Sequence, residues 1–131
     1  MQLIEFLLLD AFSMMSLVSA IEPLRTANRL LDRECYRWRF ASEDGNTATA
    51  SNGLEVKVHE RFGSSAAPDF VFVCAGMTLC ANDQNRLNAI LNKRAGQGCR
   101  MGALSMGTVF LARANLLKGA SKNCSNAAVG V

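Results

Sequence analysis

The sequence contains few of the residues from which disulfide frameworks, metal sites and many catalytic sites are built. Its 131 residues include one His, one Trp, one Tyr and two Pro. The five Cys, an odd number with no C-x-x-C pair, argue against a disulfide framework and against a zinc site. We therefore expect no metal and no other cofactor, and a reducing cytoplasm is the simplest compartment.

Charge and long apolar runs are also scarce. The chain carries 14 Lys and Arg against 11 Asp and Glu, a net charge of +3 without a basic run, which is too weak for a nucleic-acid surface. The apolar stretch 6–21 is interrupted by Asp10 and no basic residue precedes it, so we predict neither a signal peptide nor a membrane span. Half of the residues are hydrophobic, which is enough for one globular domain over 1–131.

Hydrophobic periodicity predicts alternating strands and helices. Nearly continuous apolar runs favour strands at 3–9, 70–74 and 100–104, and period-two alternation favours strands at 36–42 and 54–58. Helical patterns cover 14–31, a segment capped by Asn82 or Asp83, and 108–114. Within the first helix, Pro23 predicts either a kink or a regular helix that begins there. This order indicates an α/β sandwich with a mostly parallel central sheet, whose ligand site lies beyond the carboxyl ends of the strands.

One of these strand ends has the form of a strained strand-to-helix elbow. In Ala103-Leu104-Ser105-Met106-Gly107 the apex residue is Ser105. A Ser becomes a nucleophile only when a base takes its proton. The single His, His59, follows a peripheral strand, so we expect it to be solvated or locally hydrogen-bonded rather than to be that base. The alternative for Ser105 is a small polar residue that fits a tight turn.

Several segments together resemble a known family. They are Ile21-Glu22-Pro23-Leu24-Arg25-Thr26-Ala27-Asn28, Tyr36-Arg37-Trp38, Ser51-Asn52-Gly53-Leu54-Glu55-Val56, 70–76, 102–107 and Leu111-Ala112-Arg113-Ala114-Asn115-Leu116-Leu117-Lys118-Gly119. Over nearly its whole length the chain is similar to the amino-terminal ThiJ/PfpI-like (class I glutamine amidotransferase-like) domain of GlxA-type regulators in the AraC/XylS class. The resemblance implies a flavodoxin-like three-layer sandwich that is incomplete at its carboxy terminus.

The resemblance also implies which residues occupy the catalytic positions of the superfamily's enzymes. Those enzymes use a Cys at the elbow, an acidic residue near the first strand-helix junction and often a His after the elbow. These positions fall on Ser105, Ser16 and Ser125 here. Because an unassisted Ser hydroxyl cannot replace a preformed thiolate, the resemblance implies a non-catalytic bacterial domain. It would sense a small effector, either an amino acid or a quaternary amine such as a betaine.

The same resemblance implies partners and a ligand site. We expect a homodimer, with promoter DNA contacted only through a helix-turn-helix domain beyond residue 131. The candidate ligand-binding residues lie at the strand ends and on the first helix: Ser105, Met106, Ala75, Gly76, Ser16 and Glu22. For Glu22 the alternative is a solvated helix face or a dimer surface.

Two other hypotheses remain open at this point. One is a ThiJ/PfpI-type hydrolase, hydratase or amidase-like enzyme that uses Ser105, or a Cys such as Cys74 or Cys99. Apolar surroundings around these cysteines favour inert, buried thiols instead. The other hypothesis is a purely structural dimerisation module with an empty pocket.

Overall fold

Strands and helices alternate along the chain from its first residues. The computed structural model describes residues 1–117. The elements are β1 (Gln2–Leu8), α1 (Met14–Leu31), β2 (Tyr36–Ser42), β3 (Thr47–Thr49), β4 (Glu55–Lys57), β5 (Glu60–Arg61), β6 (Phe70–Ala75), α2 (Gln84–Gly96), β7 (Arg100–Ser105) and α3 (Gly107–Arg113). Ser125, one of the positions that the resemblance assigned, lies outside the described residues.

The main sheet is parallel and has the strand order β5-β2-β1-β6-β7. The chain builds outward from β1 to β2 and β5, then crosses over β1 to add β6 and β7 on the other side. The order therefore reverses between β1 and β6, and ligands of such sheets bind outside the carboxyl ends at that point. β3 and β4 form a separate antiparallel pair. The predicted α/β fold with a mostly parallel central sheet is confirmed.

Helices cover both faces of the sheet, which gives the predicted three layers. On one face Leu7 and Val73 pack with Leu91 of α2 and Phe110 of α3. On the other face the alternate residues of the same strands form a second cluster with α1, which includes Phe6, Leu8, Phe12, Leu17 and Cys74. This two-sided burial explains why β1 and β6 consist of nearly continuous apolar runs in the sequence.

Helix α1 begins at Met14 because Ser13 caps it: the backbone N–H of Ser16 donates to Ser13 Oγ at 3.3 Å. Pro23 lies inside the helix, so the alternative that the regular helix begins at Pro23 is wrong. The ring of Pro23 is on an exposed position of α1, where it removes one backbone donor without disturbing the core.

Smaller differences from the expected elements concern the edge of the fold. The expected strand at 54–58 is shortened to β4, and its partner β3 was not predicted, because three residues such as Thr47–Thr49 are too few to show a period. Strand β7 extends to Ser105, one residue beyond its predicted end. Helix α2 is capped by Asp83, which was one of the two predicted capping residues. Within residues 1–117 no helix is both long and apolar enough to cross a membrane.

Candidate functional site

The carboxyl ends of β6 and β7 bring most of the predicted ligand-binding residues together. Ala75 and Ser105 are register partners on these neighbouring parallel strands. Gly76 and Met106 follow them directly along the chain. The loop after β1 also reaches this edge, because a β-carbon on Gly76 would overlap the carbonyl oxygen of Ala11. Three strand ends therefore meet at one edge of the sheet, as the sequence predicted.

The elbow after β7 has the strained backbone that its sequence indicated. Ser105 has φ of 55°, in the left-handed region that L side chains rarely adopt. Its carbonyl oxygen accepts a hydrogen bond from Thr108 Oγ1 at 3.3 Å in the first turn of α3. Gly107 lets this turn lie against β6, since a β-carbon there would overlap the carbonyl oxygen of Val73. The side chain of Ser105 is partly exposed at the apex.

His59 does not assist Ser105. It lies between β4 and β5, and β5 is at the opposite edge of the sheet from β7. Its Nδ1 accepts the backbone N–H of Phe40 at 2.9 Å, and its ring stacks on the ring of Phe40 with centroids 5.5 Å apart. The prediction of a locally hydrogen-bonded His is confirmed, and the elbow has no base from the only His of the sequence.

Ser16 and Glu22 differ in their relation to the strand ends. Ser16 is buried in the first turn of α1, where its Oγ donates to Ser13 Oγ at 3.1 Å. Glu22 lies roughly 9 Å further along the helix axis, at about 1.5 Å per residue. Its carboxylate is exposed and accepts from Arg25 Nε at 2.8 Å. The structure thus matches the alternative of a solvated helix face for Glu22.

One cavity near the carboxyl edge of the sheet is smaller than the pockets that hold small molecules. It lies at the carboxyl ends of β1 and β2, is lined by Asp10, Ser42, Asp44 and Asn82 among others, and has a volume of about 30 Å³. Pockets that hold small molecules have volumes of roughly 300–1,000 Å³. The elbow residue Ser105 does not line this cavity.

Comparison with known proteins identifies relatives of the chain. No protein-family model matches the sequence. The HTH-type transcriptional regulator GbdR of Pseudomonas aeruginosa is 44% identical over 118 residues, which are 90% of this chain and 32% of the relative. The HTH-type transcriptional regulator GlxA of Rhizobium meliloti is 38% identical over 118 residues, 88% of this chain and 36% of the relative. The chain spans about one third of the length of these curated relatives.

Solved structures give the same result. An AraC family transcriptional regulator from Pseudomonas putida superposes with a TM-score of 0.78 at 32% identity, covering 89% of this chain and 63% of that one. A ThiJ/PfpI family protein from Pseudomonas syringae superposes with a TM-score of 0.65 over 89% of this chain and 47% of that one, and its 16% identity indicates the fold alone. The chain therefore has the ThiJ/PfpI-like fold and is similar in sequence to part of the GlxA-type transcriptional regulators.

The buried cysteines of this ThiJ/PfpI-like domain are not arranged as nucleophiles. Burial raises the pKa of the Cys74 thiol, which lies one residue before the end of β6 and is only 2% exposed. Burial also raises the pKa of Cys99, whose Sγ donates to the carbonyl oxygen of Pro68 at 3.0 Å. Because the thiolate is the reactive form, both side chains behave as core residues.

The ThiJ/PfpI-like domain contains a polar side chain whose role the sequence did not reveal. Asn28 joins the end of α1 to the start of β2: its Nδ2 donates to the carbonyl oxygen of Tyr36 at 2.7 Å, and its Oδ1 accepts the N–H groups of Cys35 and Tyr36 at 2.9 and 3.0 Å. It therefore belongs to the fold rather than to a ligand site. The only sequence feature that indicated this role is the position of Asn28 before a turn and an aromatic strand.

A second buried polar group, whose role the sequence did not reveal, lies in the middle of β1. Glu5 is fully buried, and its Oε1 accepts from Arg39 Nε on β2 at 2.8 Å. Arg94 of α2 places its Nε 3.5 Å from the other oxygen. Burial raises the pKa of Glu5, and the attraction of the two guanidinium groups opposes that effect only in part. These residues lie below the strand ends and outside the elbow.

Proposed function

We propose that this ThiJ/PfpI-like domain senses a small-molecule effector for an AraC-type transcriptional regulator and does not catalyse a reaction. The observation that carries the proposal is the elbow itself. It keeps a left-handed apex at Ser105, yet the only His of the sequence is bonded to Phe40 near the opposite sheet edge. A Ser hydroxyl without a base is a hydrogen-bonding group rather than a nucleophile. Similarity to HTH-type transcriptional regulators supports the same role.

The proposed effector site is the edge where the loops after β1, β6 and β7 meet. Ser105 Oγ and the backbone N–H groups of Gly76 and Met106 supply candidate donors for a carboxylate, and the proposed site also includes Ala75, the register partner of Ser105, and the buried Ser16. We assign the effector to the amino acids or quaternary amines, which carry such a carboxylate beside a cationic group. Glu22 belongs to this proposal only as a residue of the helix surface, since its carboxylate pairs with Arg25.

We further propose that the domain forms a homodimer and that promoter DNA is contacted by a helix-turn-helix region outside this sequence. Support for the DNA partner is the description of the relatives as HTH-type regulators. Support for the homodimer is apolar surface on α1, where Met15, Val18, Leu30 and Leu31 are exposed.

Calorimetric titration of the full-length protein tests the effector assignment. The panel contains amino acids, betaines and uncharged amides of similar size, and we expect at least one amino acid or betaine to bind. Ser105→Ala should weaken that binding by about tenfold, because one hydrogen bond to a charged group is lost. Ser64→Ala, an exposed Ser in the loop before β6, is the matched control. If nothing in the panel binds, the effector class is wrong.

A separate experiment tests the absence of catalysis. Ser105 should stay unmodified by a fluorophosphonate, which labels a Ser only when a base activates it. Mass spectrometry of the treated protein locates any adduct. An adduct on Ser105 that is absent from Ser105→Ala would overturn the non-catalytic assignment and favour the hydrolase alternative, whatever the titration shows.

A further inference from the structure

The segment between β5 and β6 lacks side chains that could fix it by hydrophobic burial. Residues 63–67 are Gly-Ser-Ser-Ala-Ala, and none of them is a large apolar residue. They form no helix or strand. The flanking residues Phe62 and Pro68 are nevertheless buried, and Phe62 belongs to the core on the α2 and α3 face. The segment must therefore be held over this part of the core by other contacts.

Those contacts are hydrogen bonds to the backbone carbonyls of the segment. Arg94 Nη2 donates to the carbonyl oxygen of Ser65 at 3.0 Å. Arg39 Nη2 donates to the carbonyl oxygen of Ala66 at 2.7 Å. The two donors come from different elements, α2 and β2, so the segment is fixed from both sides. Bonds from charged donors are stronger than bonds between neutral groups.

Glu5 lies between the two arginines, with a hydrogen bond to Arg39 and an ion pair with Arg94. It is fully buried and is the register partner of Arg39 on the neighbouring strand, to which it is bonded at 2.8 Å. The Arg94 side chain is 3% exposed, and its Nε lies 3.5 Å from Glu5 Oε2. Glu60 completes the cluster: it lies 3.3 Å from Arg39 Nε and accepts from Ser65 Oγ. Two carboxylates and two guanidinium groups thus meet under the segment.

We infer that Glu5 is the anchor of a buried arginine clamp that fastens residues 63–68 to the sheet. Removal of its charge leaves the guanidinium of Arg94 buried without a counter-ion, and a buried unpaired cation moves toward water. That movement takes the donor away from Ser65 and frees the segment while the central strands keep their own hydrogen bonds. The clamp is a conformational device independent of the proposed effector site.

Hydrogen exchange followed by mass spectrometry tests the clamp in the full chain. The test variant is Glu5→Gln, and the matched control is Glu34→Gln, which removes the same charge from an exposed pair with Arg37. In Glu5→Gln, we expect amides of 62–69 to exchange about tenfold faster, while β6 and β7 exchange as in the wild type. Glu34→Gln should leave both regions unchanged.

Each outcome of this experiment either overturns the inference or supports it. Equal acceleration over all peptides means that Glu5 contributes only to global stability and overturns the clamp. Unchanged exchange at 62–69 also overturns it. If Glu5→Gln does not fold, Arg39→Gln decides, because this partly exposed side chain can be replaced with less disturbance and its loss removes the bond to Ala66. Selective acceleration at 62–69 in that variant supports the clamp, and its absence overturns it.

Discussion

A β-carbon on residue 107 would overlap the carbonyl oxygen of Val73, so α3 packs on β6 at a separation that only glycine permits. The obstacle is backbone, which cannot rotate away as a side chain can. This close approach places the first turn of α3 directly beside the end of β6. It therefore sets the position of Ser105 relative to its register partner Ala75.

Gly107→Ala should lower the free energy of unfolding by about 1–3 kcal/mol, since α3 must shift away from β6. Urea denaturation measures the change. Gly96→Ala is the matched control, because Gly96 is helical in α2 and a β-carbon there meets nothing within 4 Å. That variant should gain about 0.5–1 kcal/mol from the better helix former. A Gly107→Ala variant as stable as the wild type would show that the elbow tolerates a wider separation.

The strained apex gives a second prediction. Ser105 has φ of 55°, which is most costly for a β-branched residue and free of steric cost for glycine. Ser105→Val should therefore lose roughly 1–2 kcal/mol of unfolding free energy, whereas Ser105→Gly should match or slightly exceed the wild type. Thermal denaturation of both variants checks the order. A stable Ser105→Val would contradict the left-handed apex.

Local patterns in the sequence predict most of the backbone elements. The bounds of α1 and β2 follow from spacing and flanking residues alone, because Ser13 and the alternation of aromatic and basic residues over 36–42 act within a few residues. The elbow follows from the small residues at Ala103 and Gly107. These features depend on neighbours in sequence, which is why a single sequence reveals them.

The contacts that no local pattern predicts join residues far apart in the chain. Glu5 appears in the sequence as one carboxylate within an apolar strand, and its partners lie on β2 and α2. Nothing near Glu5 identifies Arg94 as one of them. The shape of the proposed effector site is likewise set by how the loops after β1, β6 and β7 pack together. The six candidate ligand-binding residues and the homodimer therefore stay predictions.

Thiol reactivity provides a third test, which also bears on the enzyme alternative. Cys74 and Cys99 are buried and their pKa values are raised, whereas Cys35 and Cys80 are partly exposed. At neutral pH we expect iodoacetamide to modify Cys35 and Cys80 in the folded chain, and the two buried cysteines only after unfolding. Peptide mapping identifies the modified positions. Rapid modification of Cys74 in the folded protein would revive it as a candidate nucleophile.

The buried carboxylate of Glu5 predicts a pH dependence with a definite sign. Its pKa is raised in the folded state, so its contribution to stability is complete below about pH 4.5 and is lost as the pH rises through the folded-state pKa. Glu5→Gln does not titrate, so its unfolding free energy relative to the wild type should rise as the pH increases from about 4.5 and should level off once Glu5 is ionised in the folded state. Urea denaturation of both proteins at several pH values measures this difference. The contributions of the other titrating groups are the same in both proteins and cancel in the difference.

Glu34→Gln is the control for the direction of this pH dependence. Arg37 lowers the pKa of Glu34, so its contribution to stability is present above the ordinary glutamate pKa and is lost as the pH falls. The relative stability of this variant should therefore change in the opposite direction, with the wild type gaining as the pH rises. If the relative unfolding free energy of Glu5→Gln does not change with pH, Glu5 has no raised pKa in the folded protein.

Asn28 provides the last prediction, because its amide makes three hydrogen bonds to the backbone at the start of β2. Asn28→Ala removes the bonds to the N–H groups of Cys35 and Tyr36 and to the carbonyl oxygen of Tyr36, and only the Cys35 N–H keeps a bond to the carbonyl oxygen of Arg33. We expect a loss of about 2–3 kcal/mol in unfolding free energy, measured by the fluorescence of Trp38 in urea. Glu22→Gln, which weakens the exposed pair with Arg25, should change stability by less than about 0.5 kcal/mol. Equal effects of the two substitutions would mean that Asn28 does not fasten α1 to β2.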